Sequence, residues 1–304
     1  MKIRGWWTRQ ALWLAIGIAL VSLEGFTSRA LSQSVAAPQP IRTKARNATR
    51  ELPFELREGY LIVVEGWIGG KGRVRLALDT GATHSVLRSD LAERYVLARR
   101  SVSALNLDHL VTQEEVDIPS FQLGPIQIPH LLMTTGDLSS LMRLDPNLDG
   151  VIGLDVLRQS SFAIDFVTRK IIFGDLPPFR SRAAMSINKS YLGVEIQLIN
   201  RPVRLAVDTG TPCLMLYRDR MGDRLPDLKI DQQIQGNSIG GSAPIELVTL
   251  PRLELNGTKL QRQAALMRNS PSGYLPELDG YLSLVAIRAA RFSFDFEKNL
   301  LSWE

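Results

Sequence analysis

Two Asp-Thr-Gly triplets, Asp79-Thr80-Gly81 and Asp208-Thr209-Gly210, are the residues whose types and spacing point most directly to chemistry. Taken singly, such a triplet is only a turn, because Asp and Gly are turn formers. Here each one ends an apolar run, Val74-Arg-Leu-Ala-Leu and Val203-Arg-Leu-Ala-Val, that reads as a buried strand. A carboxylate at the buried end of a strand is costly without a partner. A second carboxylate is the partner that each could have. Two carboxyl groups a few ångströms apart share a proton and titrate as a pair. The ionised member then takes a proton from a water held between them, and the protonated member gives one to a carbonyl. That chemistry needs no metal, no cofactor and no covalent nucleophile. Gly81 and Gly210 let the chain turn sharply and bring backbone N–H groups near the carboxylates. Thr80 and Thr209 offer hydroxyls that could tie the two turns together.

The elements that must position these residues occur twice. Val74–Ala82 matches Val203–Thr211 at an offset of 129 residues. Leu148-Asp-Gly-Val-Ile-Gly153 matches Leu278-Asp-Gly-Tyr-Leu-Ser283 at an offset of 130, and Phe162-Ala-Ile-Asp-Phe166 matches Phe292-Ser-Phe-Asp-Phe296 at the same offset. Three blocks at one spacing read as an internal duplication. Each half is a series of short apolar or alternating runs broken by turn residues, which predicts an all-β domain. Hairpins are expected around Gly69-Gly70-Lys71-Gly72 and Asn200-Arg201-Pro202, with strand pairs around 168–170 and 297–299. Short helices are expected over Leu154–Gln159 and Leu284–Arg288. The division is therefore an N-terminal lobe at 59–174, a Pro177-Pro178 connector at 175–190 and a C-terminal lobe at 191–304.

With the triplets and blocks laid out, residues 59–304 resemble the pepsin–retropepsin superfamily of aspartic peptidases, in a duplicated two-lobe, bacterial-type form. The resemblance implies two β-barrel lobes with a cleft between them and a few short helices. It implies an aspartic endopeptidase with Asp79 and Asp208 catalytic, supported by Thr80, Gly81, Thr209 and Gly210. Val151-Ile152-Gly153 matches the apolar-apolar-Gly block that packs near each turn, whereas Tyr281-Leu282-Ser283 carries Ser in place of Gly. A substrate-covering flap is expected at 234–241, with Gly236, Ile239, Gly240 and Gly241 on it. The matching stretch of the first half, Ala104 to Leu110, has no glycine and no tyrosine. The competing expectation is a weak or inactive pseudo-peptidase that binds peptides or serves as a scaffold.

Bulk composition narrows the remaining classes. The net charge of +5 divides into +7 over residues 1–50 and −2 over the rest, so the body carries no basic excess for nucleic acid. Residues 1–32 read as a secretory signal: Lys2, Arg4 and Arg9 precede the thirteen-residue run Ala11–Leu23, with small residues at Ser28, Ala30 and Ser32. That run falls short of the roughly 20 residues that span a bilayer, and an uncleaved N-terminal anchor is the rival. Either way the body is expected outside the cytoplasm, periplasmic or extracellular. Membrane association would then come only through this N-terminal segment. Residues 33–58 read as a basic, Pro-containing linker. Cys213 is the single cysteine, so no intrachain disulfide forms. The expected partner is a peptide or protein substrate, and a monomer holds both aspartates. Asp145-Pro-Asn147-Leu-Asp149-Gly150 resembles a calcium loop, but Val156 stands where its last acidic ligand belongs, so it reads as a turn. His84, His109 and His130 lack ligand spacing for zinc.

Overall fold

The computed structural model describes Leu14–Ala15, Val21–Ser22 and residues 50–304, apart from 96–97, 107–108, 175, 177–178, 189, 199–200, 223–224, 226–227, 239–240, 251–252, 261–262 and 271–276. The fold is all-β, with two large sheets and five short helices among the described residues.

In the first half, Leu61–Ile68 pairs antiparallel with Gly72–Leu78, whose apolar residues point into the core. Gly72–Leu78 lies parallel to Gly150–Ile152, which is antiparallel to Val86–Arg88, itself parallel to Ile126–Gly136. In the second half, Leu192–Leu198 and Arg201–Asp208 form the hairpin. Arg201–Asp208 lies parallel to Gly280–Ser283, which is antiparallel to Leu214–Tyr217, itself parallel to Gln263–Arg268. The two strand orders are the same. The matching sequence blocks also take up equivalent registers, Ala77 against Val151 and Ala206 against Tyr281.

The halves are joined at a shared base. Phe162–Asp165 pairs with Arg291–Asp295, Ile164 opposite Phe292, and the sheet continues through Lys170–Phe173 on one side and Leu300–Trp303 on the other. Phe162 stacks on Phe294 at 4.8 Å, and Phe166 meets Phe292 edge-on at 6.0 Å. Such ring pairs add about 0.5–1.5 kcal/mol each beyond the area they bury. One continuous apolar core runs through both halves, with a smaller satellite around Tyr60 and Val151 and its counterpart around Tyr191 and Tyr281.

Several local expectations shift. Residues 51–57, placed in the linker, form the strand Glu51–Arg57, which pairs with Leu61–Ile68 and with Lys170–Phe173. The connector contributes Ser181–Ala184 to the base sheet. The helices are single turns, Leu154–Leu157 and Leu284–Ile287, shorter than expected. The first half does carry a flap-like hairpin, Arg99–Asn106 with His109–Leu123, despite having no glycine there. Cross-strand charge pairs join its strands away from the turn: Arg99 with Glu114 at 2.7 Å, and Arg100 with Glu115. Most of 1–32 and all of 33–49 lie outside the described residues. Of the leader, Leu14–Ala15 runs parallel to Gly236–Asn237 and Val21–Ser22 antiparallel to Ala104–Leu105, one short strand on each flap hairpin. No helix among the described residues is long and apolar enough to cross a membrane.

Candidate active site

Both triplets sit where the two halves meet. Asp79 follows Leu78 directly, its N–H donating to Ile152 O at 3.0 Å, and Asp208 is the last residue of its strand. The carboxyl groups are almost wholly removed from solvent, Asp79 being 3% and Asp208 1% exposed.

Four hydrogen bonds between Thr80 and Thr209 and their opposite turns lock the arrangement. Thr80 N donates to Thr209 Oγ1 (3.0 Å) and Thr209 N to Thr80 Oγ1 (3.1 Å), while the hydroxyls donate to Val207 O (2.8 Å) and Leu78 O (2.9 Å). Both N–H groups and both hydroxyls of this buried cross-link find partners in the other half, as burial demands. Neither half alone could satisfy it.

The glycines explain the close approach. Gly81 N donates to Asp79 Oδ1 at 2.8 Å and Gly210 N to Asp208 Oδ1 at 2.7 Å. Each glycine also walls the opposite carboxyl. A Cβ on Gly81 would lie 2.5 Å from Asp208 Cγ, and one on Gly210 would lie 2.8 Å from Asp79 Cγ. No side chain fits at either position.

Burial, then the neighbouring Asp79 charge and the hydrogen bond to it, push the Asp208 carboxyl well above its ordinary range. The Gly210 and Thr211 N–H groups only partly oppose this. Asp208 Oδ2 is buried and takes no protein donor. Two carboxyl groups in hydrogen-bonding contact, one of them a weakened acid, can hold a single proton between them.

Residues 64–156 match the model of a family of aspartyl proteases. The crystal structure of an aspartic proteinase from Irpex lacteus superposes with a TM-score of 0.53 at 15% sequence identity, covering 83% of this chain and 95% of that one. The chain has the aspartic-proteinase fold, and residues 64–156 are similar to the aspartyl protease family. Among curated proteins, none matches it in sequence.

Within this aspartic-peptidase fold, the other sequence expectations fall as follows. Gly236 lies inside the strand Ile230–Ser238, opposite Ala243, rather than at the flap tip; Gly241 begins the returning strand. Ile239 and Gly240 lie outside the described residues. Ser283, the departure from the apolar-apolar-Gly pattern, is buried; its hydroxyl donates to Thr211 O at 2.7 Å and accepts from Val285 N at 3.2 Å. Cys213 packs against the satellite core, and burial pushes its thiol up to about 12, which leaves it protonated and unreactive. Asp145 is occupied by arginines: Arg75 Nη2 donates to it at 2.7 Å and Arg57 Nε at 3.2 Å. Burial works against its ionisation, yet the guanidiniums and the Asn147 N–H hold its carboxyl below the ordinary value. Asp149 and Asp279 do equivalent work, accepting the backbone N–H of Arg75 and Arg204 at 2.9 Å each.

Sequence reasoning passed over Ser85 and Asp155, which bond to each other directly beneath the first turn. The available signal was an acid inside the apolar run Val151-Ile-Gly-Leu-Asp-Val-Leu157.

Proposed function

We propose that the protein is an exported aspartic endopeptidase that hydrolyses peptide bonds with a water activated between Asp79 and Asp208. The observation that carries this reading is the pair of buried carboxyl groups held in contact by the reciprocal Thr80–Thr209 bonds. Asp208 is the proton-bearing member, because its acidity is weakened and Gly210 N–H occupies Oδ1, leaving the proton to Oδ2. Asp79 is the base. It takes a proton from water as the oxygen adds to the peptide carbonyl carbon, while Asp208 protonates the carbonyl oxygen. The diol so formed collapses when a proton reaches the amide nitrogen and the carbon–nitrogen bond breaks, releasing acid and amine.

Substrate would lie extended between the flap hairpins, pairing through its backbone. Supporting this, both hairpins already take a short added strand, from Leu14–Ala15 and Val21–Ser22. The equivalent arrangement of the halves supports a duplication, with lobes at 59–174 and 191–304 forming one site in a monomer. Export rests on the charged, apolar and small-residue order of 1–32.

The deciding experiment is cleavage of a mixed peptide library by the body, residues 51–304, expressed without the leader. Cleavage is expected in the wild type and absent in Asp79→Asn and in Asp208→Asn, both folded by circular dichroism. Cleavage that persists in either variant, or peptide binding without cleavage in the wild type, overturns the reading.

A further inference from the structure

The two turns are braced from beneath by different chemistry. In the first half the brace is a carboxylate. Asp155 accepts from Ser85 N at 2.9 Å, Ser85 Oγ at 2.7 Å and Val156 N at 2.9 Å. Ser85 Oγ in turn accepts from Gly153 N at 3.1 Å. The same segment grips both arms of the Asp79 turn: Ile152 O takes Asp79 N, Leu154 N donates to Ala82 O at 2.8 Å, and Asp155 N donates to Thr83 O at 3.2 Å. In the second half the matching positions are apolar, Leu214 for Ser85 and Val285 for Asp155. There the hydroxyl of Ser283 donates to Thr211 O, beside the backbone pairing of Asp208 with Ser283. Three positions have changed together, so each half has a complete solution of its own.

We propose that Asp155, acting through Ser85, is a positioning residue that fixes Asp79 relative to Asp208, and that the second turn has no carboxyl counterpart. Three hydrogen bonds converge on this one side chain, two from Ser85 and one from Val156 N, and a buried acceptor so used holds its donors in place. The carboxyl group lies behind the turn, and its hydrogen bonds go to Ser85 and Val156. Burial raises its pKa, opposed only in part by the donors of Ser85 and Val156 and by His84; Arg158, the residue after the helix, also interacts with it.

The test is Asp155→Asn. An amide offers one acceptor and one donor, so in either orientation the N–H of Ser85 or of Val156 meets another donor. Two readouts are taken. The first, which rests on the peptidase reading, is steady-state cleavage: kcat is expected to fall about 10- to 100-fold with KM changed less than about twofold. The second needs no activity: in protein labelled with ¹³C at the aspartate carboxyls, the titration midpoint of the dyad is expected to move by about half a pH unit or more. Val285→Asn, the matching position in the other half, is expected to leave both unchanged. A folded Asp155→Asn protein with an unmoved dyad titration overturns the proposal, whether or not the wild type cleaves peptides. A wild type that cleaves nothing overturns the peptidase reading and leaves the titration to decide this one. Should Asp155→Asn fail to fold, Ser85→Ala removes one hydroxyl and is read the same way.

Discussion

The two halves agree where they touch each other and differ where each supports itself. At the interface the correspondence is residue for residue: Thr80 with Thr209, Gly81 with Gly210, and the same N–H to carboxyl bond in each turn. One step back from it, a serine–carboxylate brace faces a lone hydroxyl, and Arg88 holds Leu148 O where Arg220, from a different element, holds Leu278 O. The carbonyls needing a partner are the same, and the donors have been reassigned. A two-fold site constrains the atoms that cross the axis. It leaves each half free to hold them in place by any chemistry that satisfies the buried backbone.

The largest effect expected from breaking this correspondence is at the glycines. Gly81→Ala and Gly210→Ala each drive a methyl into the opposite carboxyl, and each is expected to lower the cleavage rate about 1,000-fold or more, measured on purified folded protein. Equal losses would confirm that the turns are functionally alike; a clear inequality would show that one carboxyl tolerates displacement. Next comes an exchange of the blocks. Gly153→Ser places Cβ 2.7 Å from His84 C and 2.8 Å from Ala82 O, all backbone. It should cost about 2–4 kcal/mol in urea denaturation, whereas Ser283→Gly should cost only about 1 kcal/mol, the loss of a cap and one hydrogen bond. Thr80→Ala and Thr209→Ala are each expected to destabilise by about 1–3 kcal/mol, with Thr→Ser at either site restoring most of it.

The smallest effect has the opposite sign. Asp208 has its folded pKa raised above its ordinary value of 3.8. The native state therefore holds this proton more tightly than the unfolded chain does. The fold is favoured below about pH 3.8 and loses stability as pH rises through the raised value. Asp208→Asn removes that cost and still lets a side-chain amide face Asp79. It is expected to raise the melting temperature by a few degrees at pH 7 and to change it little at pH 3. Cleavage by the wild type is expected to persist above the ordinary carboxylate range and to fall as Asp208 deprotonates, seen as the alkaline limb of kcat/KM.

The matching blocks made the all-β fold and the approach of Asp79 to Asp208 legible, because each half's pattern tests the other's. What stayed hidden depends on contacts between distant residues. Glu51–Arg57 reads as linker because Pro53 and three charges interrupt its pattern; it becomes a strand by pairing with 61–64 and 170–172. The first flap lacks glycine, and its charge pairs are meaningful only once the register is known. Asp155 and Ser85 are 70 residues apart. Neither triplet nor spacing announces their bond.

The shared base sheet also orders events in time. Its central pairing brings Phe162–Asp165 to Arg291–Asp295, and Arg291–Asp295 is bounded by Leu300–Trp303. During synthesis the first lobe emerges with Thr80 and Asp79 complete but with nothing opposite them. Contacts this distant in sequence form late and slowly. The Thr80–Thr209 cross-link therefore closes only after the second triplet has been made, and until then Asp79 has no counterpart.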